Sequence, residues 1–192
     1  MELKSKNIGF AMTGSFCTFS KTISVLKEIV SLGANVIPIM SFNAYSLDSR
    51  FGKHEDFIKE IENLTGNKII HTIPDAEPIG PKKMTDIMVI APASGNTLAK
   101  LANGITDTPV VMATKSHLRN KKNVVVAIST NDALSGSAMN IGKLLNTKYY
   151  YFVPFRQDNP ITKPTSLVFD SNFLIKTIEL ALDNEQIQPI IQ

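Results

Sequence analysis

The run Asp86-Ile87-Met88-Val89-Ile90-Ala91 constrains this chain more than any other feature. Five apolar residues follow one another without polar alternation, the pattern of a strand covered on both faces. A strand of that kind needs apolar helices above and below it, and the flanking sequence supplies them. Ile8 to Met12, Val36 to Met40, Val124 to Ile128 and Tyr150 to Val153 read as further strands, and Lys68-Ile69-Ile70 as a shorter one. Between them the apolar period changes to that of a helix. From about Thr18 to Leu32, the residues Thr22, Val25, Leu26, Ile29, Val30 and Leu32 share one face, Ser24, Lys27, Glu28 and Ser31 share the other, and Gly33 is the stop. A second pattern passes through Phe57, Ile58, Ile61 and Leu64 to Gly66, a third runs from Asn96 to Asn103 before Gly104, and a fourth from about Ser137 to Leu145. Parallel strands need crossover helices, so this alternation specifies an α/β fold. The expectation is a Rossmann-like parallel sheet of about six strands with helices on both faces, in a single domain over residues 1–192.

Past Val153 the pattern changes. Pro154, Pro160 and Pro164 stand in a polar stretch, so an irregular arm is expected over 154–168. A C-terminal helix at about 170–184 follows, with Leu174, Ile178, Ala181 and Leu182 on one face. The partly apolar tail Gln186 to Gln192 is expected to dock on its own domain or on a neighbour.

Composition removes several function classes. With 43% hydrophobic and 19% charged residues, the 192-residue chain is not a disordered one. Its net charge of +3 comes from scattered lysines, adjacent only at Lys82-Lys83 and Lys121-Lys122, so no basic face for nucleic acid is expected. Cys17 is the single cysteine, which rules out an intrachain disulfide and suits a reducing compartment. No stretch approaches the ~18 apolar residues of a membrane span, and Thr13-Gly14-Ser15 interrupts the first apolar run too early for a signal peptide. A cytoplasmic protein without a membrane partner is expected.

In an open α/β sheet, ligands bind beyond the carboxyl ends of the strands. The first such loop, Thr13-Gly14-Ser15, lacks the lysine of an ATP-type phosphate loop and the Gly-x-Gly-x-x-Gly of a dinucleotide site. It can hold one phosphate through backbone N–H groups at a helix start, although taken alone it reads as a turn and helix cap. Ser41-Phe42-Asn43 follows the second strand and by itself is a turn. After the central strand, Ser94, Asn96 and Thr97 surround Gly95, more polar groups than one helix cap requires. Ser129-Thr130-Asn131-Asp132 adds a fourth cluster. Uncharged loops at one sheet edge suit a planar heteroaromatic ligand with a single phosphate.

The segment from Ile90 to Asp107, Ile-Ala-Pro-Ala-Ser-Gly-Asn-Thr-Leu-Ala-Lys-Leu-Ala-Asn-Gly-Ile-Thr-Asp, resembles the signature of the homo-oligomeric flavin-containing Cys decarboxylase family. The resemblance implies a Rossmann-like fold, an FMN cofactor and trimer-based self-assembly. It implies an FMN phosphate near Thr13, Gly14, Ser15 and Ser41, and a ring and ribityl chain near Ser94, Gly95, Asn96, Thr97 and Ser129. Decarboxylases of the family carry a catalytic histidine where this chain has Pro78, and their Pro-x-Met-Asn clamp survives only as Ala138-Met139-Asn140. A narrower resemblance covers essentially the whole chain, from Gly9-Phe10-Ala11-Met12 through Ala76-Glu77-Pro78-Ile79-Gly80 and Pro154-Phe155-Arg156-Gln157-Asp158 to Ile191. It implies one half of a two-chain oxidoreductase that aromatises a small dicarboxylate, with FMN on this chain and NAD(P) on its partner, the A subunit. A non-catalytic partner with an empty pocket and an FMN-dependent decarboxylase are the alternatives.

His54, His71 and His117 lack the spacing of a zinc helix and are expected at the surface. Cys17 is expected to be packed as a small apolar group. Arg50, Arg119 and Arg156, the only arginines, are expected in loops, where guanidinium groups suit a dicarboxylate and ordinary ion pairs equally well.

Overall fold

The computed structural model describes residues 3–192. Four parallel strands form the body of the sheet: β1 (Asn7–Met12), β2 (Asn35–Met40), β3 (Ile87–Ala93) and β4 (Val124–Thr130). They lie in the order β2-β1-β3-β4. Every residue of β3 is buried, as its uninterrupted apolar sequence demands. Its side chains part to two cores: Ile87, Val89 and Ala91 enter one, Met88 and Ile90 the other.

Helices α1 (Phe19–Ser31), α3 (His54–Thr65) and α8 (Leu174–Leu182) cover the first face. On α1 the buried set is Phe19, Thr22, Ile23, Val25, Leu26 and Ile29, spaced three and four apart, whereas Leu32 lies past the helix and is 45% exposed. Leu26 is fully buried, and truncating it to alanine would cost about 2–5 kcal/mol. The second face is covered by α4 (Ile73–Ala76), α5 (Gly95–Ala102), α6 (Pro109–Leu118) and α7 (Ala138–Leu145), while the short α2 (Phe42–Ser46) follows β2. Gly66 ends α3 in the left-handed region at φ 68°, a conformation that costs glycine little.

Among the described residues the sheet has seven strands rather than about six. The two halves of one edge of β4 have different partners. Its first half pairs in parallel with β5 (Tyr150–Phe152), and its second half pairs antiparallel with β7 (Lys163–Phe169), at Ser129↔Val168 and Thr130↔Leu167. The segment 154–168, expected as an irregular arm, is therefore largely a hairpin of β6 (Phe155–Asn159) and β7. Prolines suggested irregularity, but Pro154 precedes β6, Pro160 lies in the turn and Pro164 falls within the register shift between the Gln157 and Asn159 pairings. The expected strand Lys68-Ile69-Ile70 shrinks to one bridge, Ile39↔Ile70. The C-terminal helical segment begins as a 3-10 turn at Ser171–Phe173 and continues as α8. The tail docks on its own domain, bonded to both sides of Phe155 through the Ile190 carbonyl and the Gln192 amide.

Candidate functional site

Because β1 to β4 are parallel, the loops after them emerge at one edge of the sheet. Ser41 N–H donates to the Met12 carbonyl at 3.0 Å, tying the ends of β2 and β1 together. A β-carbon on Gly14 would lie 3.6 Å from the Asn43 β-carbon, so the first two loops are in contact. Thr13 bridges to the third: its hydroxyl donates to the Pro92 carbonyl at 2.7 Å and accepts from Ser94 N–H at 2.9 Å. Ser15 reaches the fourth, donating to the Ser129 carbonyl at 2.6 Å, and Thr18 donates to Ser129 Oγ at 3.4 Å. Eight of the nine predicted site residues stand in the first three of these loops or in the helix turns that follow them, and Ser129 is the penultimate residue of β4.

Their exposure divides them. Thr13, Thr97 and Ser129 are buried, with Thr13 only 1% exposed and its hydroxyl engaged on both sides, which makes it a brace between loops. Gly14, Ser15, Ser41, Ser94 and Gly95 are half-buried, and Asn96 is exposed. Ser94 is the N-cap of α5, accepting from Thr97 N–H at 3.4 Å, and Ser41 caps α2 in the same manner. The first N–H groups of α5, and those of the 3-10 turn Phe16–Thr18 that leads into α1, have no intrahelical partner.

Gly95 has a stricter reason to be glycine. A β-carbon there would stand 2.7 Å from Ser137 Oγ, 2.7 Å from Thr130 Oγ1 and 2.8 Å from Asp132 Oδ1. Of these three residues the sequence marked Thr130 and Asp132 but not Ser137: Thr130 Oγ1 donates to Asp132 Oδ1 at 2.6 Å, and Ser137 Oγ lies 3.0 Å from both carboxylate oxygens. Ser137 precedes α7 but caps no N–H, because its hydroxyl serves Asp132. The polar run 129–132 marked the loop, but its bond to Ser137 depends on how the turn folds back.

Arg50 lies over the Phe51 ring at 4.9 Å, and Phe42 and Phe51 are 46% and 43% exposed. The β6–β7 hairpin projects past the end of β4, since Leu167 already pairs with its last residue, Thr130. Near the hairpin turn, Lys163 is held above the usual lysine range, chiefly by its hydrogen bond to Asp158, and it also senses Cys17 and Arg50.

Several expectations need correcting. Cys17 is exposed rather than packed. Arg156 belongs to β6, where it lies 3.6 Å from Asp170, whereas Arg50 and Arg119 lie in turns, Arg119 in the one that ends α6. His117 is 1% exposed, not at the surface. Its Nε2 lies 2.9 Å from the Asn123 carbonyl and must donate, so Nδ1 accepts from the Thr85 hydroxyl at 2.7 Å. Burial, the dominant cause, lowers its pKa from 6.5 to about 4. This pair sits at the other end of the sheet, between the starts of β3 and β4. Among the described residues no group of three or more His, Cys, Asp or Glu is placed to hold a metal.

Pro78 lies in the 3-10 turn Glu77–Ile79, packed against α6 through the bond from Gly80 N–H to Ser116 Oγ at 2.8 Å. It offers no group for proton transfer. A set of hydroxyls and amides beside two helix starts at one sheet edge has the chemistry to hold a phosphate or the polar edge of a ring.

Residues 1–164 match the family described as Flavoprotein. The B subunit of dipicolinate synthase from Bacillus subtilis (strain 168) is 48% identical over 189 residues, which is 98% of this chain and 94% of that protein. The crystal structure of the corresponding dipicolinate synthase chain from Bacillus halodurans C is similar with a TM-score of 0.92 at 45% identity, covering 100% of this chain and 98% of that one. The FMN-dependent cysteine decarboxylase SpaF shares the fold, with a TM-score of 0.70 at 21% identity over 95% of this chain and 98% of its own.

Proposed function

The chain belongs to the flavoprotein family, and on that premise we propose that it is the B subunit of a dipicolinate synthase, holding FMN and acting with an A subunit that binds NAD(P). The observation that carries this reading is the 48% identity to such a protein along nearly the full length of both chains. Dipicolinate is pyridine-2,6-dicarboxylate, so the substrate is a dihydropyridine-type dicarboxylate that loses two electrons and two protons on becoming aromatic. A bound flavin supplies an acceptor for the hydride.

The chain's own residues do the rest. Gly14 leaves room for one phosphate beside the first N–H groups of the 3-10 turn that leads into α1, while the absence of a Gly-x-Gly-x-x-Gly turn disfavours a dinucleotide. Ser94 and Thr13 fix the loop after β3, so that Asn96 faces outward from a rigid start of α5. Gly95 lets that loop approach the Thr130-Asp132-Ser137 cluster. Arg50 and Lys163 place positive charge at the mouth for a dicarboxylate. The helix-start N–H groups need a partner in any case, and a phosphate or ring carbonyl meets that need. We assign the location to the cytoplasm of the mother cell of a sporulating bacterium. No helix among the described residues is long and apolar enough to cross a membrane.

A second reading, a non-catalytic partner of the A subunit with an empty crevice, is favoured by one observation: the Thr13, Ser15 and Ser94 hydroxyls are already paired within the chain. The stand-alone decarboxylase is disfavoured by Pro78, which cannot move a proton. The visible spectrum of this chain co-expressed with its partner separates the first two. A flavin band and dipicolinate formation that requires both proteins support the redox role, and full activity from the partner in the absence of this chain overturns it. Titration of the purified chain should give tighter binding of FMN than of FAD or NAD; equal or tighter NAD binding would reject the assignment of the crevice.

A further inference from the structure

A second concavity lies away from the crevice. It occupies about 380 Å³ against α6, and reaches Tyr150, the residue that pairs with Val124 at the opening of β4. That position is toward the opposite edge of the sheet from the flavin loops. Leu101, Ile105, Val111 and Leu118 provide an apolar lining, and Ile105 is 46% exposed beside it. The volume is in the usual range for a small-molecule pocket, which spans about 300–1,000 Å³.

Its charged groups are all cations: Lys100, Lys115 and Arg119. Lys115 and Arg119 stand on α6 and at its C-cap, four residues apart and both exposed, an arrangement of like charges that costs helix stability. Neither has an ion pair among the described residues, whereas Lys100 on the other wall is paired with Asp107 at 2.7 Å. Two cations at the end of a helix offset its dipole, but that role requires neither an apolar slot nor a phenol. Tyr150 is half-buried and its hydroxyl has no hydrogen-bond partner among the described residues. Burial pushes its pKa up to about 12, so it remains a neutral donor at any physiological pH.

We propose that this groove is a binding site for a small organic anion with an apolar body, an aromatic or branched aliphatic carboxylate. The body lies on Leu101, Ile105 and Leu118, and the carboxylate meets Lys115 and Arg119 with Tyr150 donating from below. An anion removes the repulsion between the two cations and gives the phenol an acceptor. Nothing in this assignment depends on the flavin reading.

Calorimetry and ligand-observed NMR on the full chain, with 2-naphthoate and its neutral amide as probes, test it. The acid should bind saturably at one per chain and the amide at least about tenfold more weakly, with the difference shrinking as salt rises. Arg119→Gln and Lys115→Gln should each weaken the acid by about three- to tenfold, and Tyr150→Phe by about fivefold, with FMN affinity and circular dichroism unchanged. Equal binding of acid and amide, binding untouched by Arg119→Gln, or displacement of the acid by FMN would each overturn the site. So would failure of the acid to bind wild type when Ile105→Lys converts an oligomer to a monomer, because a second copy of the chain would then occupy the groove.

Discussion

The two edges of the sheet carry comparable numbers of polar groups and use them differently. At the edge where β3 and β4 begin, the groups are closed on one another, save Asn123 Oδ1, which is buried without a partner among the described residues. His117 lies between Thr85 and the Asn123 carbonyl, Asn123 Nδ2 donates to the Ala181 carbonyl at 2.5 Å and to Asn184, and Lys122 reaches the Thr85 carbonyl and Asp86. Burial would raise the Asp86 carboxyl, but the Asn7 amide and Lys122 outweigh it and hold it below the usual range. These bonds join segments far apart in sequence, and they pin α6 and α8 to the sheet. At the opposite edge the predicted site residues are uncharged, range from buried to exposed, and stand beside helix starts whose first N–H groups have no partner within the helix. A closed network stabilises the fold; an open one with unmet donors is available to a ligand.

That contrast fails or sharpens under four measurements. The largest effect belongs to the closed edge. His117 titrates at about 4 in the folded chain against 6.5 when exposed, so its contribution is fully present above pH 6.5 and is lost as pH falls toward 4. The difference corresponds to about 3 kcal/mol, and urea unfolding at stepped pH should show it in the wild type. In His117→Gln the stability should be lower at neutral pH and this part of the acid dependence should vanish. An unchanged acid profile in the variant would place the titration elsewhere.

Next in size is Gly95→Val at the open edge. Its β-carbon collides with the Thr130-Asp132-Ser137 cluster, so FMN affinity should fall by about 100-fold while the helix signal in circular dichroism persists. Flavin binding at wild-type strength would show that the loop after β3 is not part of the pocket. Asn96→Ala is a smaller and cleaner probe. Asn96 is exposed in the free chain, so its loss should leave stability within about 0.5 kcal/mol and weaken FMN by about tenfold. A stability loss without an affinity change would make it a structural residue and erase the distinction between the edges. The smallest effect is expected at the solvent-exposed end of α5, where Asp107→Asn removes the partner of Lys100 and should cost less than about 0.5 kcal/mol by thermal melting.

Sequence alone determined the repeating unit and the loops that matter. The unbroken apolar run of β3, the amphipathic period of α1 and the glycine stops at Gly33 and Gly66 are local properties, set by backbone geometry and by how many faces of an element are covered. The placement of Thr13, Ser41, Ser94 and Ser129 at one edge followed from parallel order, which the crossovers impose. Tertiary structure decided what depends on partners distant in the chain. The polar, proline-bearing segment at 154–168 became a hairpin because β5 leaves the second half of β4 unpaired, and an open strand edge stabilises whatever can bond to it. Only the fold could show that Thr13 is a brace, that Cys17 is exposed and that His117 is enclosed. Burial is a property of what packs against a residue, and no short window of sequence contains it.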